Sequence, residues 1–281
     1  MSVKQSVRYR ISLLLSLLLL GGALAQAQQT APPRLAPDVA TYEKFRAWAG
    51  VQPREVQEAP DLLERYRAKL LAEGETAAAA DEQLRVIREQ GRRLEVERWN
   101  RILTAPAPRF NTNPNAFLVD MLKGVPPGKA LDVGMGQGRN ALYLAQQGWD
   151  VTGFDPADKA VAAAKAEATR LGLKLTTQTV GDEEFDFGKE RWDLVVLSYV
   201  NLRHLVPRIY DSLKPGGRVV VEAFHRDATK TNPVGGGVVF DTNELLTLFN
   251  KFRILRYEDA QAVGDFGLRE TRIVRLYAQK P

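Results

Sequence analysis

Two patterns of apolar positions divide the chain. Between Asp38 and Thr104 apolar residues recur at helical spacing. Val39, Tyr42, Phe45 and Ala49 form one stripe, Leu62, Leu63, Tyr66 and Leu70 a second. A third runs through Leu84, Ile87, Leu94, Val96, Trp99 and Leu103; its seam drifts instead of holding a heptad, so no long coiled coil is expected. Pro53, Pro60 and the turn Gly74-Glu75-Thr76 cut the region into pieces. Residues 38–108 are thus predicted to be an α-helical extension packed on a main domain. Pairing of two copies into a homodimer is the other use such faces allow.

After Pro106-Ala107-Pro108 short apolar runs alternate with helical segments. Strands are predicted at Ala130–Val133, Asp150–Phe154, Leu173–Val180, Trp192–Leu197, Arg218–Phe224, Phe252–Tyr257 and Thr271–Ala278. Helices are predicted at Ala141–Gln147, Ala157–Leu171, Leu205–Leu213 and Thr242–Phe249. The fourth strand is almost continuously apolar, as a strand covered on both faces must be. The alternation predicts an α/β fold, a doubly wound parallel sheet with right-handed crossovers, over residues 109–281.

Composition narrows the chemistry. The chain has 281 residues, 44% of them hydrophobic, enough for a large core. It has no cysteine, which excludes disulfides, a thiolate nucleophile and a Cys-ligated metal. The opening segment carries Lys4, Arg8 and Arg10, then a Leu-rich run from Ile11 to Leu20, then Ala23-Leu24-Ala25 and Ala25-Gln26-Ala27. This order is that of an export signal over residues 1–27, too short an apolar run for a comfortable span. Periplasmic or secreted localisation follows as an expectation, with no membrane span after cleavage; an uncleaved membrane anchor is the alternative. Residues 28–37, rich in Gln and Pro, read as a flexible linker. Losing the three basic residues takes the formal charge from +5 to +2, which gives no electrostatic reason to expect nucleic acid as a partner.

The most informative segment is Ala130-Leu-Asp-Val-Gly-Met-Gly-Gln-Gly-Arg-Asn140, an apolar strand running into alternate glycines and then a helix. Such a turn needs backbone angles, and a closeness of approach, that a Cβ opposes. The helix start offers free N–H groups to an anionic ligand group. A dinucleotide fingerprint would place its third glycine where Arg139 stands, so that pattern fails.

Gly134, Gly136 and Gly138, preceded by Asp132, instead resemble the first motif of class I S-adenosylmethionine-dependent methyltransferases. The resemblance continues at Asp155, at the end of the second strand, at Gly181-Asp182 before the fourth, and at Leu213-Lys-Pro-Gly-Gly-Arg-Val-Val-Val221. It covers roughly Asn113–Lys280 and implies a seven-stranded, Rossmann-like sheet whose last strand is antiparallel. It also implies S-adenosylmethionine as co-substrate, with Asp155 holding the ribose hydroxyls and Asp182 near the adenine. Within the family, Phe110–Leu118, Gly138-Arg-Asn-Ala141 and Gly148-Trp-Asp-Val-Thr152 are most similar to the tellurite-resistance and thiopurine-type enzymes. There the segment before the first strand folds over the cofactor, so Phe110 and Asn111 are candidate lid residues. The long helical extension departs from that pattern, so those substrates are not carried over; a small-molecule acceptor is expected.

Methyl transfer from a sulfonium is a displacement with an activated leaving group, so alignment and water exclusion matter more than acid–base chemistry. Candidates at the strand ends are Ser198 and Tyr199 after the fourth strand and His225 after the fifth: Ser198 as a cofactor contact, and as catalytic residues His225, a base facing the substrate, and Tyr199, lining the acceptor pocket. His204, in Leu202-Arg203-His204-Leu205, reads as a helix-start or backbone-bonding residue rather than a catalytic one. The acidic run Asp182–Asp186 lacks a histidine cluster, so it is read as a solvated loop rather than a metal site. Gly235-Gly236-Gly237 reads as a loop near the pocket. No Asn/Asp-Pro-Pro-Tyr/Phe segment for base methylation follows the fourth strand. An exported binding protein that kept the fold without turnover is the alternative function; aminopropyl transfer has no motif in its favour.

Overall fold

The computed structural model describes residues 36–57, 59–230 and 236–281. The expected export signal, and the linker except for its last two residues, lie outside the described residues. Residues Ala36–Pro281 fold as one unit.

The helical extension forms α1 (Pro37–Gly50), α2 (Arg54–Gln57), α3 (Leu62–Ala72) and α4 (Ala77–Leu103). Its breaks fall at the predicted proline and glycine positions. Thr76 starts α4, its hydroxyl accepting from the Ala79 N–H at 3.2 Å. Tyr66, Leu70, Ala80, Leu84 and Ile87 make a small core of their own, with Tyr42, Phe45 and Trp48 against it. Gly91 is where α1 comes closest, since a Cβ there would lie 3.2 Å from the Tyr42 ring. The last turns of α4 leave this core and join the second region: Leu103 packs with Phe110, Ala157 and Ala160.

Helix α5 (Ala116–Met121) leads into the alternating region: β1 (Lys129–Val133), α6 (Arg139–Gln146), β2 (Asp150–Phe154), α7 (Asp158–Arg170), β3 (Leu175–Gln178), β4 (Trp192–Ser198), α8 (Val206–Ser212), β5 (Leu213–His225), β6 (Val239–Phe240), α9 (Glu244–Leu248), β7 (Arg253–Val263) and β8 (Glu270–Gln279). The sheet order is β3-β2-β1-β4-β5-β8-β7, with the short β6 paired to β5. Strands β1 to β6 pair in parallel, whereas β8 is antiparallel to both neighbours. The predicted α/β class and antiparallel last strand hold, with β6 as an eighth strand that two residues were too few to announce.

Alternation along β4 sends Val195 and Leu197 into one core with α8 and α9. Leu194 and Val196 go into the other, with α5, α6 and α7. Both faces of the sheet are therefore covered, which is why β4 reads as an unbroken apolar run. Register fixes the site: Val133 pairs with Phe154 and with Leu197, and Ser198 with Glu222. Gly134, Asp155, Ser198 and Glu222 consequently share one edge, at the carboxyl ends of the parallel strands.

Candidate functional site

A cavity of about 620 Å³ opens at that edge. One wall is the strand ends: Gly134, Met135, Gly136, Asp155, Ser198 and Tyr199. Another comes from the extension and the segment after it, through Arg46, Arg98, Trp99, Leu103 and Phe110. Phe266, in the turn between β7 and β8, lies against both: its ring is 5.4 Å from those of Phe110 and Tyr199 and 6.3 Å from that of Trp99.

The glycines of the loop are required by shape. Gly134 has φ +65°, and a Cβ on it would meet Val200 Cγ1 at 2.6 Å. Gly138, the left-handed residue before α6 at φ +82°, would place a Cβ 2.9 Å from that of Ala164. Asp155 holds the loop: its Oδ2 accepts from the Gly136 N–H at 2.9 Å and its Oδ1 from the Ala157 N–H at 2.8 Å. Burial nevertheless raises the Asp155 carboxyl above its ordinary value.

Asp132 is 2% exposed, at the end of β1. Burial pushes its carboxyl up to about 7, against the opposing charge of Arg139 and the Ala141 backbone N–H. Its Oδ2 has no hydrogen-bond partner among the described residues. Asp182 lines the cavity and its Oδ2 lies 2.7 Å from His204 Nε2. Arg208 holds this loop by donating to the carbonyls of Asp182 and Phe185. His204 stands at a helix start, in the 3-10 turn Arg203–Leu205 that leads into α8, and its ring there bonds the Asp182 carboxylate. Ser198 Oγ accepts from Asn140 Nδ2 at 3.2 Å, and Asn140 Oδ1 accepts from the Asn115 N–H. In the glycine run after β5, Gly237 borders the cavity and Gly235 lies outside the described residues.

Of the two catalytic candidates, Tyr199 lines the cavity as expected and His225 does not. Tyr199, at φ +58°, turns its ring to the cavity, but its hydroxyl donates to Glu222 Oε1 at 2.7 Å and accepts from the Asp265 N–H at 3.0 Å. Burial and the Glu222 and Asp265 charges hold this phenol well above its ordinary value, so it is a wall and a neutral donor rather than a proton acceptor. His225 is outside the cavity altogether. Glu222 is level with Ser198, and β5 runs on three residues, about 10 Å, to pair His225 with Phe240 of β6. Its Nδ1 accepts from the Asp227 N–H at 3.0 Å, and its Nε2 is 3.1 Å from Thr242 Oγ1. It borders a separate recess with Arg226, Thr229 and Thr242.

The acidic run is dispersed rather than gathered: Asp182 meets His204, Glu184 meets Arg92, and Asp186 accepts from the Gly188 N–H. Among the described residues no group of three or more metal-ligating side chains occurs, and no helix is long and apolar enough to cross a membrane. Sequence reasoning missed Trp99, Leu103 and Phe266, which only the tertiary fold brings to the cavity. Arg139 adjoins the glycine motif, and that adjacency was the one signal that could have marked it.

Residues 109–272 match the family model described as "Tellurite resistance protein TehB". A protein of Haemophilus influenzae described as "Probable S-adenosyl-L-methionine-dependent methyltransferase TehB" is 29% identical over 160 residues, covering 54% of this chain and 55% of the relative. The chain spans about half the length of the first curated relatives it matches. The crystal structure of TehB from Haemophilus influenzae overlays with TM-score 0.52 at 23% identity, covering 59% of this chain and 62% of that one. The N-methyltransferase NodS of Bradyrhizobium japonicum, solved with S-adenosyl-L-homocysteine, overlays with TM-score 0.52 at 18% identity, over 66% of this chain and 98% of that one. These overlays show the fold.

Proposed function

On the premise that this chain belongs to the TehB family, whose model covers residues 109–272, we propose that it is an S-adenosylmethionine-dependent methyltransferase acting on a small-molecule acceptor by in-line transfer. The observation that carries the reading is the register-aligned edge, where the glycine loop, Asp155 and Ser198 meet one cavity. Asp155 is the group for the ribose hydroxyls, with its carboxylate on the cavity wall and fixed by two backbone N–H groups. Gly134 and Gly136 leave main chain bare where the amino-acid portion passes. Asp182 takes the adenine side.

When bound, S-adenosylmethionine supplies a methyl group on a positively charged sulfur that departs as a neutral thioether. The chain's own residues align and dry the cavity: Trp99, Phe110, Phe266 and Tyr199 exclude water around the acceptor. Neither Tyr199 nor His225 offers a proton acceptor there, which favours an acceptor whose attacking atom needs no deprotonation.

Titration calorimetry with S-adenosylmethionine and S-adenosylhomocysteine tests this. Asp155→Ala is expected to weaken binding by about 1–3 kcal/mol, the cost of bonds to the ribose left unmade. Unchanged affinity in that variant would remove the assignment. An acceptor screen should then set tellurite and thioethers, which attack without losing a proton, against thiols and quinols, which must lose one; tight binding with turnover of none would instead favour an exported binding protein. The basic, Leu-rich opening supports export, which cell fractionation tests. Homodimerisation through the extension is a separate proposal for sedimentation analysis.

A further inference from the structure

Asp265 sits in the turn between β7 and β8, buried at 8% exposure, and joins four parts of the molecule. Its Oδ1 accepts from Asn111 Nδ2 at 2.9 Å and its Oδ2 from Asn115 Nδ2 at 2.8 Å, both on the segment before β1. The same Oδ2 is 2.7 Å from Arg139 Nη2, at the start of α6 directly after the glycine loop. Its N–H donates to the Tyr199 hydroxyl at the end of β4, and its carbonyl accepts from the Asn111 N–H at 2.7 Å. Arg139 also donates to the Asn113 carbonyl, and the Gly267 N–H to that of Arg109. The next residue, Phe266, reaches the cavity and bridges back to Phe110.

From this arrangement we infer that Asp265 is the positioning residue of the cavity: it locks the 109–115 segment and the β7–β8 turn onto the glycine-loop helix and thereby sets Phe110 and Phe266 around the bound ligands. The inference deepens the proposed methyl-transfer site and rests on that reading for its ligand, though not for its geometry. Asp265 touches no cavity space itself. It acts through Phe266, Asn111 and Arg139. Two paired carboxylates, Asp265 and Glu222, and two arginines, Arg139 and Arg275, share this buried network. Loss of one partner therefore leaves another buried charge exposed to desolvation.

The test has two independent measurements on the full chain. In Asp265→Asn, hydrogen exchange is expected to quicken about tenfold or more at residues 109–116 and 264–267, as expected for the loss of a buried charge-assisted bond, while β4 stays unchanged. Stopped-flow displacement of S-adenosylhomocysteine is expected to give an off-rate raised about tenfold. Asn111→Ala, which removes only the contacts on the lid side, is expected to do the same about threefold and covers the case in which the Asn variant fails to fold. Unchanged exchange at 109–116, or an equal rise throughout the sheet, would overturn the inference. Localised exchange in a protein that does not bind S-adenosylhomocysteine would support Asp265 as the lock and remove the methyl-transfer reading instead.

Discussion

Along the strand-end wall of the cavity, between Gly134 and Asp155, position is a matter of main chain. Parallel register puts the two residues on one edge, left-handed glycines make the turn, and a carboxylate ties the turn to β2 through the Gly136 N–H. Along the helical wall, Trp99, Leu103 and Phe110 are held by side chains from distant parts of the chain. Leu103 packs on Ala157 and Ala160, and Trp99 sits edge-on to Phe266. The first wall lies inside the region that matches the family; Trp99 and Leu103 of the second lie outside it. The difference suggests which changes should abolish binding outright and which should only loosen it.

The largest effect is expected from breaking the main-chain wall. Gly134→Val demands a β-branched residue at φ +65° and pushes it into Val200. The left-handed conformation alone costs about 1–2 kcal/mol, with the collision added, so affinity for S-adenosylhomocysteine should fall by roughly a hundredfold or more in calorimetry. An affinity within a factor of three of wild type would show that the loop tolerates displacement and that register is not what builds the site.

A second expectation concerns charge beneath that wall. Burial holds the Asp132 carboxyl near 7, well above its ordinary value of 3.8. The folded protein therefore keeps a proton that the unfolded chain has released, and stability falls as pH rises from about 4 to about 7, then levels off. Asp132→Asn removes that loss. In urea titrations of ligand-free protein the variant should gain on wild type between pH 5 and pH 8 by on the order of 2 kcal/mol. The burial-raised carboxyl of Asp155 leaves a smaller slope of the same sign in the variant. A gap independent of pH would mean that Asp132 is ionised throughout.

The junction between the walls gives a smaller effect. Asn100 of α4 accepts from the Lys159 N–H at 3.0 Å and donates to Asp158 at 2.6 Å. It thus caps a helix start whose own N-cap residue, Ala157, has no side chain to do so. Asn100→Ala should lower stability by about 1 kcal/mol, and it should loosen the start of α7, with Leu103 still packed on Ala157 and Ala160 and the glycine loop unaltered. Hydrogen exchange would show faster opening at the start of α7; exchange confined to α4 would mean that the start of α7 is held elsewhere.

These effects follow what could be read in advance. The strand-end wall was legible because its determinants are local: a strand, a glycine spacing and an acid at the next strand end are contiguous signals. The breaks in the helical extension were legible for the same reason, since Pro53, Pro60 and Gly74 act on their own neighbours. Trp99 carried no such mark, as its helical spacing reads equally as core. Phe266 and Asp265 lie in a turn whose partners are Phe110, Asn111 and Tyr199, and no periodicity links residues that far apart. The family resemblance pointed to Phe110 and Asn111 as a lid but was silent on what they fasten to.

His225 is where the same reasoning overreached, and it supplies the smallest expected effect. The apolar pattern ended the fifth strand at Phe224, and a histidine just past a parallel strand end is well placed for chemistry. Level position, however, depends on register and not on where a strand stops. Glu222 is the residue paired with Ser198, so His225 is carried beyond the cavity to β6. There its Nδ1 accepts a backbone N–H, which leaves the proton on Nε2, directed at Thr242. A ring engaged at both nitrogens outside the ligand space has no lone pair to offer an acceptor. His225→Asn should therefore leave S-adenosylhomocysteine affinity and methyl turnover within about twofold of wild type, because it changes a bond outside the reacting volume. A loss of turnover beyond a hundredfold with affinity intact would restore His225 as the base and require β5 and β6 to move toward the cavity when the acceptor binds.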